Sequence, residues 1–320
     1  MKQIKLFLSA PLIATTLLII NSCSQATSPP KSAPAIFIAT TPYNDIARKL
    51  LGISSDNKYD MMKWHLTLYN DPGTSANYIL TCKYGMAKQG TRDFVEGAEK
   101  IELRGKWTID KGTTENNKAV IYRLHADNSP ISLSFMQPDP NLLHLLDNNS
   151  QLMVGTGAWS YTLNRTDPVR STSIKSEMQK VSSLHTNSDS LVIGVFDGRT
   201  PCNTDLTGLN GISMPGCQIV KCRLMLYQDI KTHEPTSFQL LTVYVGKGDN
   251  RYTTTGKWKM LQGTATDPGA IIYQLEPDSG KTPSLTFLKA DDNILFLLDK
   301  DGTFLVGDEY TSYTLNRGKR

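Results

Sequence analysis

Apolar and polar residues alternate with period two along most of this chain. Trp64, Leu66 and Leu68 fall on one side of an extended segment, and His65, Thr67 and Tyr69 on the other. Cys222, Leu224 and Leu226 against Arg223, Met225 and Tyr227 repeat the pattern, and Tyr78, Leu80, Cys82 and Tyr84 are matched by Phe238, Leu240, Thr242 and Tyr244. Seven or so short strands per copy are predicted, one every 8 to 15 residues, with Asp-Gly and Asp-Pro turns between them. One short helix is expected near the start, where Asn44 caps Ile46 to Leu51 and Gly52 closes it; the second copy offers a weaker version after Asn203. No strand–helix–strand alternation appears, so a parallel sheet is not expected. An antiparallel meander of this length pairs into a sandwich or closes into a barrel. Persistent alternation in every strand favours the barrel, which leaves no exposed edges.

The pattern occurs twice. Gly105-Lys106-Trp107, Ile121-Tyr122, Leu145-Leu146-Asp147, Val154-Gly155 and Ser160-Tyr161-Thr162-Leu163-Asn164-Arg165 return as Gly256-Lys257-Trp258, Ile272-Tyr273, Leu297-Leu298-Asp299, Val306-Gly307 and Ser312-Tyr313-Thr314-Leu315-Asn316-Arg317, at an offset of 151 to 152. The chain is therefore expected to be all-β, with two tandem small antiparallel β-barrels, each with a short helix near its start. Domain one is placed at 35–166, a polar linker at 167–190 and domain two at 191–320. The shared block is read as barrel-building. Differences of function are expected ahead of it, in the second copy's N-terminal third.

The first 22 residues are set apart from the fold. Lys2 and Lys5 precede a largely apolar run, Leu6 to Ile20, too short and interrupted for a comfortable membrane span. The run ends Ile20-Asn21-Ser22-Cys23, which resembles the lipobox of bacterial lipoproteins. That resemblance implies removal of 1–22 as a signal peptide, acylation of Cys23 and, with Ser24 next, export to the outer membrane. Residues 23–34 are then a Pro- and Ser-rich tether, and the lipid bilayer is a partner through the acyl chains. Loss of Lys2 and Lys5 lowers the net charge of +4 by two, to +2, too little to argue for nucleic acid.

Beyond Cys23 there are four cysteines, Cys82, Cys202, Cys217 and Cys222. Cys202 aligns with Tyr43 and Cys217 with Tyr59, so both change together between the copies, as a bonded pair lost as a unit would. A Cys202–Cys217 disulfide is expected, compatible with an exported protein. Cys82 and Cys222 take inward strand positions and read as small buried apolar side chains. The rival reading makes Cys202, Cys217 and Cys222, with Met214 nearby, a soft-metal site for copper(I) or zinc.

Gly194 to Cys202, the Gly-Lys-Trp strand and the Leu-Leu-Asp and Ser-Tyr-Thr-Leu-Asn endings resemble the NlpE-type copper-homeostasis lipoprotein domain. The resemblance covers both copies and is better in the second. It implies a barrel akin to bacterial lipocalins on an outer-membrane lipoprotein linked to copper tolerance, adhesion or envelope-stress sensing. The CxxC of better-known members is missing here, and only Cys202 matches that motif, so copper is not assigned to residues.

Enzyme signatures are lacking. No GxSxG, HExxH or phosphate-binding Gly-rich loop occurs. His65, His125 and His144 become Arg223, Glu276 and Phe296 in the second copy, and His185 and His233 fall in linker and turn. Asp147 and Asp299 precede turns. Lys106 and Lys257 read as outward residues beside inward tryptophans, and Arg165 and Arg317 as strand-end residues with a carboxylate or barrel-end contact. Catalysis is not expected. The remaining readings are binding or sensing with an envelope protein partner, carriage of a small apolar ligand inside the barrels, or an inhibitor or adhesin module.

Overall fold

The structure is a computed structural model that describes residues 33–54, 58–70, 76–95, 97–112, 118–174, 179–180, 190–202, 216–246, 250–264, 267–280 and 282–318. Cys23, the signal segment and the tether up to residue 32, Met214, His185 and the stretch expected to carry the second helix lie outside these residues.

The first copy contributes β1 (Ala35–Pro42), α1 (Asp45–Leu50), β2 (Met61–Tyr69), β3 (Asn77–Gly85), β4 (Glu99–Lys111), β5 (Val120–Ala126), β6 (Ser132–Asp139), β7 (Leu142–Leu145) and β8 (Thr162–Arg165). Each strand pairs with the next, and β1 returns to β8 with Phe37 opposite Arg165, closing an eight-stranded antiparallel barrel. β9 (Gln179–Lys180) follows, then β10 (Ser190–Pro201), β11 (Ile219–Asp229), β12 (Pro235–Tyr244), β13 (Asn250–Gln262), β14 (Ile271–Pro277), β15 (Leu285–Lys289), β16 (Ile294–Leu298) and β17 (Thr314–Arg317). β10 meets β17 with Phe196 opposite Arg317, and β12 pairs with β13, so the second copy closes as well. β9 adds to β13 as an extra strand. The expected architecture, two tandem barrels, is the observed one.

The period-two pattern explains the closure. Leu66, Leu80, Leu124, Leu133, Phe135, Leu145 and Leu163 point inward and are fully buried, while their neighbours face out. Leu224, Leu240, Leu275, Phe287, Leu295 and Leu315 do the same in the second barrel. Each such side chain stabilises the fold by roughly 1.5–3 kcal/mol relative to leaving it in water. The Gly of Gly-Lys-Trp has a steric reason. A Cβ on Gly105 would lie 1.9 Å from the His125 carbonyl oxygen, and one on Gly256 would lie 2.2 Å from that of Glu276. Lys106 and Lys257 are exposed, and the adjacent indoles turn inward to donate to the Tyr69 and Tyr227 carbonyls at 3.1 and 2.7 Å.

In α1 the Asn44 side chain accepts from the Ala47 N–H at 2.8 Å, and Ala47 and Leu50 bury against the barrel end. Gly52 follows at φ +68°, where a side chain would be strained.

Both barrels belong to one compact unit, Ser32–Arg320. A third apolar cluster joins them: Ile121, Met136, Leu142 and Leu146 of the first copy with Leu261, Ile272, Ile294, Phe296, Leu298 and Phe304 of the second. Leu142–Leu145 and Ile294–Leu298 are buried on both faces, one toward the barrel interior and the other toward the sister barrel. The linker takes part in this packing. Ile174 is buried in the shared cluster and donates its N–H to the Gly302 carbonyl at 2.9 Å. Asn141 holds the linker against the first barrel, accepting from the Val169 N–H and donating to the Val169 carbonyl and Ser171 Oγ.

Candidate functional site

The exchange of cysteines for tyrosines is realised in three dimensions. Cys202 and Cys217 form a disulfide with Cα atoms 5.6 Å apart, tying the end of β10 to the segment before β11. In the first barrel Tyr43 and Tyr59 do the same job as an edge-to-face ring pair at 5.5 Å, with Tyr84 within 5.9 Å of each. Tyr59 and Tyr84 donate to the two carboxylate oxygens of Glu99, at 2.6 and 2.9 Å. Burial and the Glu99 carboxylate push the Tyr84 phenol up to about 12.

The free thiols are both interior. Cys82 faces Trp64 across the β2–β3 ladder, and Cys222 faces Thr242 across β11–β12, so each inward layer sets a small residue against its partner. Burial raises both thiol pKa values, that of Cys222 to about 12. A thiol held this way is neither a nucleophile nor a ready metal ligand. The Cys202–Cys217 bond leaves no thiolate on either sulfur, and among the described residues no three His, Cys, Asp or Glu side chains are grouped to hold a metal.

The residues common to both copies have structural partners. Asp147 Oδ1 accepts from the Asn149 and Gln151 N–H groups, and Asp299 Oδ1 from those of Asp301 and Thr303, which is turn chemistry. Arg165 forks onto Asp167. Arg317 donates to the Asp292 and Ile193 carbonyls and lies 5.6 Å from the centre of the Phe196 ring. His65 and His125 are exposed on strands, and His233 sits in a turn at φ +59°.

The repeated ending Ser-Tyr-Thr-Leu-Asn-Arg does more than build each barrel. Its inward residues Tyr161, Leu163, Tyr313 and Leu315 fill the interiors, while its outward residues meet one another across a local two-fold axis. Ser160 Oγ lies 2.7 Å from Ser312 Oγ, and Thr162 Oγ1 lies 2.8 Å from Thr314 Oγ1. Asn164 Oδ1 accepts from the Gly307 N–H at 2.8 Å, and Asn316 Oδ1 accepts from the Gly155 N–H at the same distance. The glycines are obligatory: a Cβ on Gly155 would stand 2.2 Å from the Trp159 carbonyl oxygen, and one on Gly307 would stand 2.1 Å from that of Thr311. The same side-chain set appears on both sides, so the seam has the self-complementary form of a two-fold interface.

His144 extends this seam. It is fully buried between Thr162 and Met153, 5.8 Å from the Phe296 ring. The Met153 carbonyl can only accept, so Nε2 carries the proton; Nδ1 then accepts from the Thr162 hydroxyl, and Thr162 accepts from Thr314. Burial lowers the imidazole pKa to about 4, outweighing the Met153 hydrogen bond that raises it.

On the axis the two copies leave a small pocket, partly open to solvent, with a cavity volume of about 10 Å³, about that of one water molecule. Thr40, Trp159, Arg199, Asp308, Glu309, Tyr310 and Asn316 are in its wall. The acids are engaged: Asp308 accepts from the Tyr310 and Thr311 N–H groups and lies 3.5 Å from Arg92, and Glu309 lies 3.6 Å from Lys63. Asn316 and Arg199 lie in stretches the sequence singled out, the repeated ending and Gly194 to Cys202, but no wall residue was read as part of a site. The signal that bears on them is a break in the repeat: Ile38-Ala39-Thr40 stands against Asp197-Gly198-Arg199, and Thr156-Gly157-Ala158-Trp159 against Asp308-Glu309-Tyr310-Thr311.

No family model, no curated protein and no solved structure matches this chain.

Proposed function

We propose that this chain is a non-enzymatic, lipid-anchored outer-membrane protein of envelope homeostasis that acts by binding or sensing. The observation that carries the reading is the state of the barrel interiors, which are occupied by the protein's own side chains. Trp64, Tyr78, Phe135 and Tyr161 are each less than 2 % exposed in the first barrel, and so are Phe238, Trp258 and Phe287 in the second. A small-molecule carrier needs several hundred Å³ of enclosed space, so the filled interiors argue against the carrier reading and turn attention to the outer surface. The disulfide supports an exported location.

The anchor rests on Ser22-Cys23-Ser24 and the tether that follows. Metabolic labelling with an alkyne fatty acid is expected to tag the wild-type chain in the outer-membrane fraction and to miss Cys23→Ala; an untagged wild type overturns the anchor. The resemblance to the copper-homeostasis lipoprotein domain makes copper tolerance one specific form of the role. Stoichiometric copper(I) binding that disappears in Cys202→Ser/Cys217→Ser supports it. A chain whose two sulfurs stay bonded and which takes up no copper ends it, leaving recognition of an envelope protein partner as the form of the role.

A further inference from the structure

We propose that the edge of β4 from Thr108 to Lys111 is a docking site for an extended segment of an envelope protein partner, which pairs with it as an added strand. The second barrel shows the arrangement. Trp107 matches Trp258, so Ile109, Asp110 and Lys111 match Met260, Leu261 and Gln262. Both strands run on past the pairing with the strand before them: β3 pairs with β4 only as far as Lys106, and β12 with β13 only as far as Lys257. Beyond that point the second barrel's edge is taken by β9, with Leu261 opposite Lys180 and Gln262 opposite Gln179. The first barrel's edge has no strand beside it among the described residues.

The backbone of this edge is turned outward. Successive residues of a strand aim their N–H and C=O groups at opposite neighbours. The Arg104 carbonyl accepts from Asp127 and the Gly112 N–H donates to the Ala119 carbonyl, so even-numbered residues of β4 face β5. The Trp107 N–H donates to the Ala76 carbonyl, on the other side. Ile109 and Lys111 therefore turn their N–H and C=O groups away from β5, and no backbone partner for them occurs among the described residues. The second copy keeps the same facing, since the Gly263 N–H donates to the Ala270 carbonyl. Thr108 to Lys111 are all exposed, Ile109 at 52 %. Such a row of outward backbone groups is a template for another chain.

The segment ahead of the first barrel does not supply the strand as the segment ahead of the second does. Phe37 and Phe196 match, being opposite Arg165 and Arg317. β9 ends at Lys180, sixteen residues ahead of Phe196; sixteen residues ahead of Phe37 is Asn21, which the lipoprotein reading removes with the signal peptide. The place is thus left to another chain, and the inference rests on the reading that the outer surface meets a protein partner. Ile109 and Lys111 share one side of the strand. Asp110 is held by Arg123, whereas Lys111 has no ion pair among the described residues. An antiparallel partner strand fits with an acid opposite Lys111 and, two residues later, a β-branched apolar residue opposite Ile109.

The test uses the full chain in detergent, with hydrogen exchange of the Ile109 and Lys111 amides as reporter and acetyl-Thr-Glu-Thr-Val-Thr-amide as probe. In the chain alone those two amides are expected to exchange fast, while that of Gln262 is protected. The peptide is expected to slow both saturably. Ile109→Pro removes an N–H that faces the open edge and is expected to weaken binding about fivefold or more, with β5 amides still protected to show that the barrel folds. Lys111→Glu is expected to weaken it about threefold. The same peptide N-methylated at its valine, which loses the N–H aimed at β4, is expected to leave both amides unchanged. The proposal is overturned if Ile109 and Lys111 are already protected in the chain alone, if the peptide does not slow them, or if the N-methylated peptide slows them equally. An untagged Cys23 in the labelling experiment removes the anchor and leaves these readouts as they are, so the two readings fail separately.

Discussion

His144 gives the seam a pH dependence that can be worked from the structure. Its imidazole is fully buried and its pKa is lowered from 6.5 to about 4, whereas in the unfolded chain it titrates at its ordinary value. Between those two values the unfolded state binds the proton and the folded state does not, so stability rises with pH across the window. The contribution is fully present above the unfolded pKa of 6.5 and is lost as pH falls toward 4. From that shift the loss is about 2 kcal/mol by about pH 5 and about 3 kcal/mol by about pH 4. His144→Phe is the natural perturbation, because the second copy places Phe296 at the matching position. The variant leaves the Met153 carbonyl without its donor, a pH-independent cost of roughly 1–3 kcal/mol. Urea unfolding of both proteins at several pH values is the assay, and the difference between them isolates the imidazole from the carboxylates that also titrate. The wild-type advantage is expected at about pH 8 and should shrink by about 2 kcal/mol at about pH 5. If the two curves fall in parallel across that range, the buried neutral imidazole is not as described.

Gly307→Ala should cost about 2–4 kcal/mol, because the new methyl meets the Thr311 carbonyl and the Asn164 side chain. Calorimetry should show the barrels unfolding separately, and an unchanged single transition would refute the seam's role. Reduction of Cys202–Cys217, which closes a separation of 15 residues, should destabilise the second barrel by about 3 kcal/mol and spare the first, as followed by exchange of β11 and β2 amides. Tyr59→Phe should cost about 1 kcal/mol by removing a hydrogen bond to Glu99, a loss readable in the thermal midpoint. Cys82 and Cys222 should resist a thiol reagent in the folded protein and react on denaturation, since both are buried with raised pKa values; reaction at native rates like those of a free thiol would contradict their burial.

The candidate sites were unevenly legible. The disulfide could be read because Cys202 and Cys217 change jointly with Tyr43 and Tyr59, and two-position exchange is information a single sequence with an internal repeat carries. The tryptophans of Gly-Lys-Trp and the turn aspartates were legible because their roles are local. His144 was read as a residue without a counterpart in copy two, and its burial was missed. The signal was there: Leu142 to Leu146 and Ile294 to Leu298 are nearly continuous apolar runs in a chain of alternating strands, and such a run marks a strand covered on both faces. Arg199 and Trp159 gave no local sign, because an arginine on a strand and a tryptophan in a turn look ordinary until their surroundings are known.

What the sequence determined by itself is the pair of barrels. Strand pairing follows from period-two alternation, turn residues and near neighbours in the chain, all of which are local or successive. The tertiary structure alone decided what the outward faces do. Ser160, Thr162 and Asn164 alternate with Tyr161 and Leu163 as the polar side of a strand, and a polar face carries no mark of whether water or another polar face will satisfy it. Only when the sister barrel brings Ser312, Thr314 and Asn316 opposite do they become a buried, hydrogen-bonded seam.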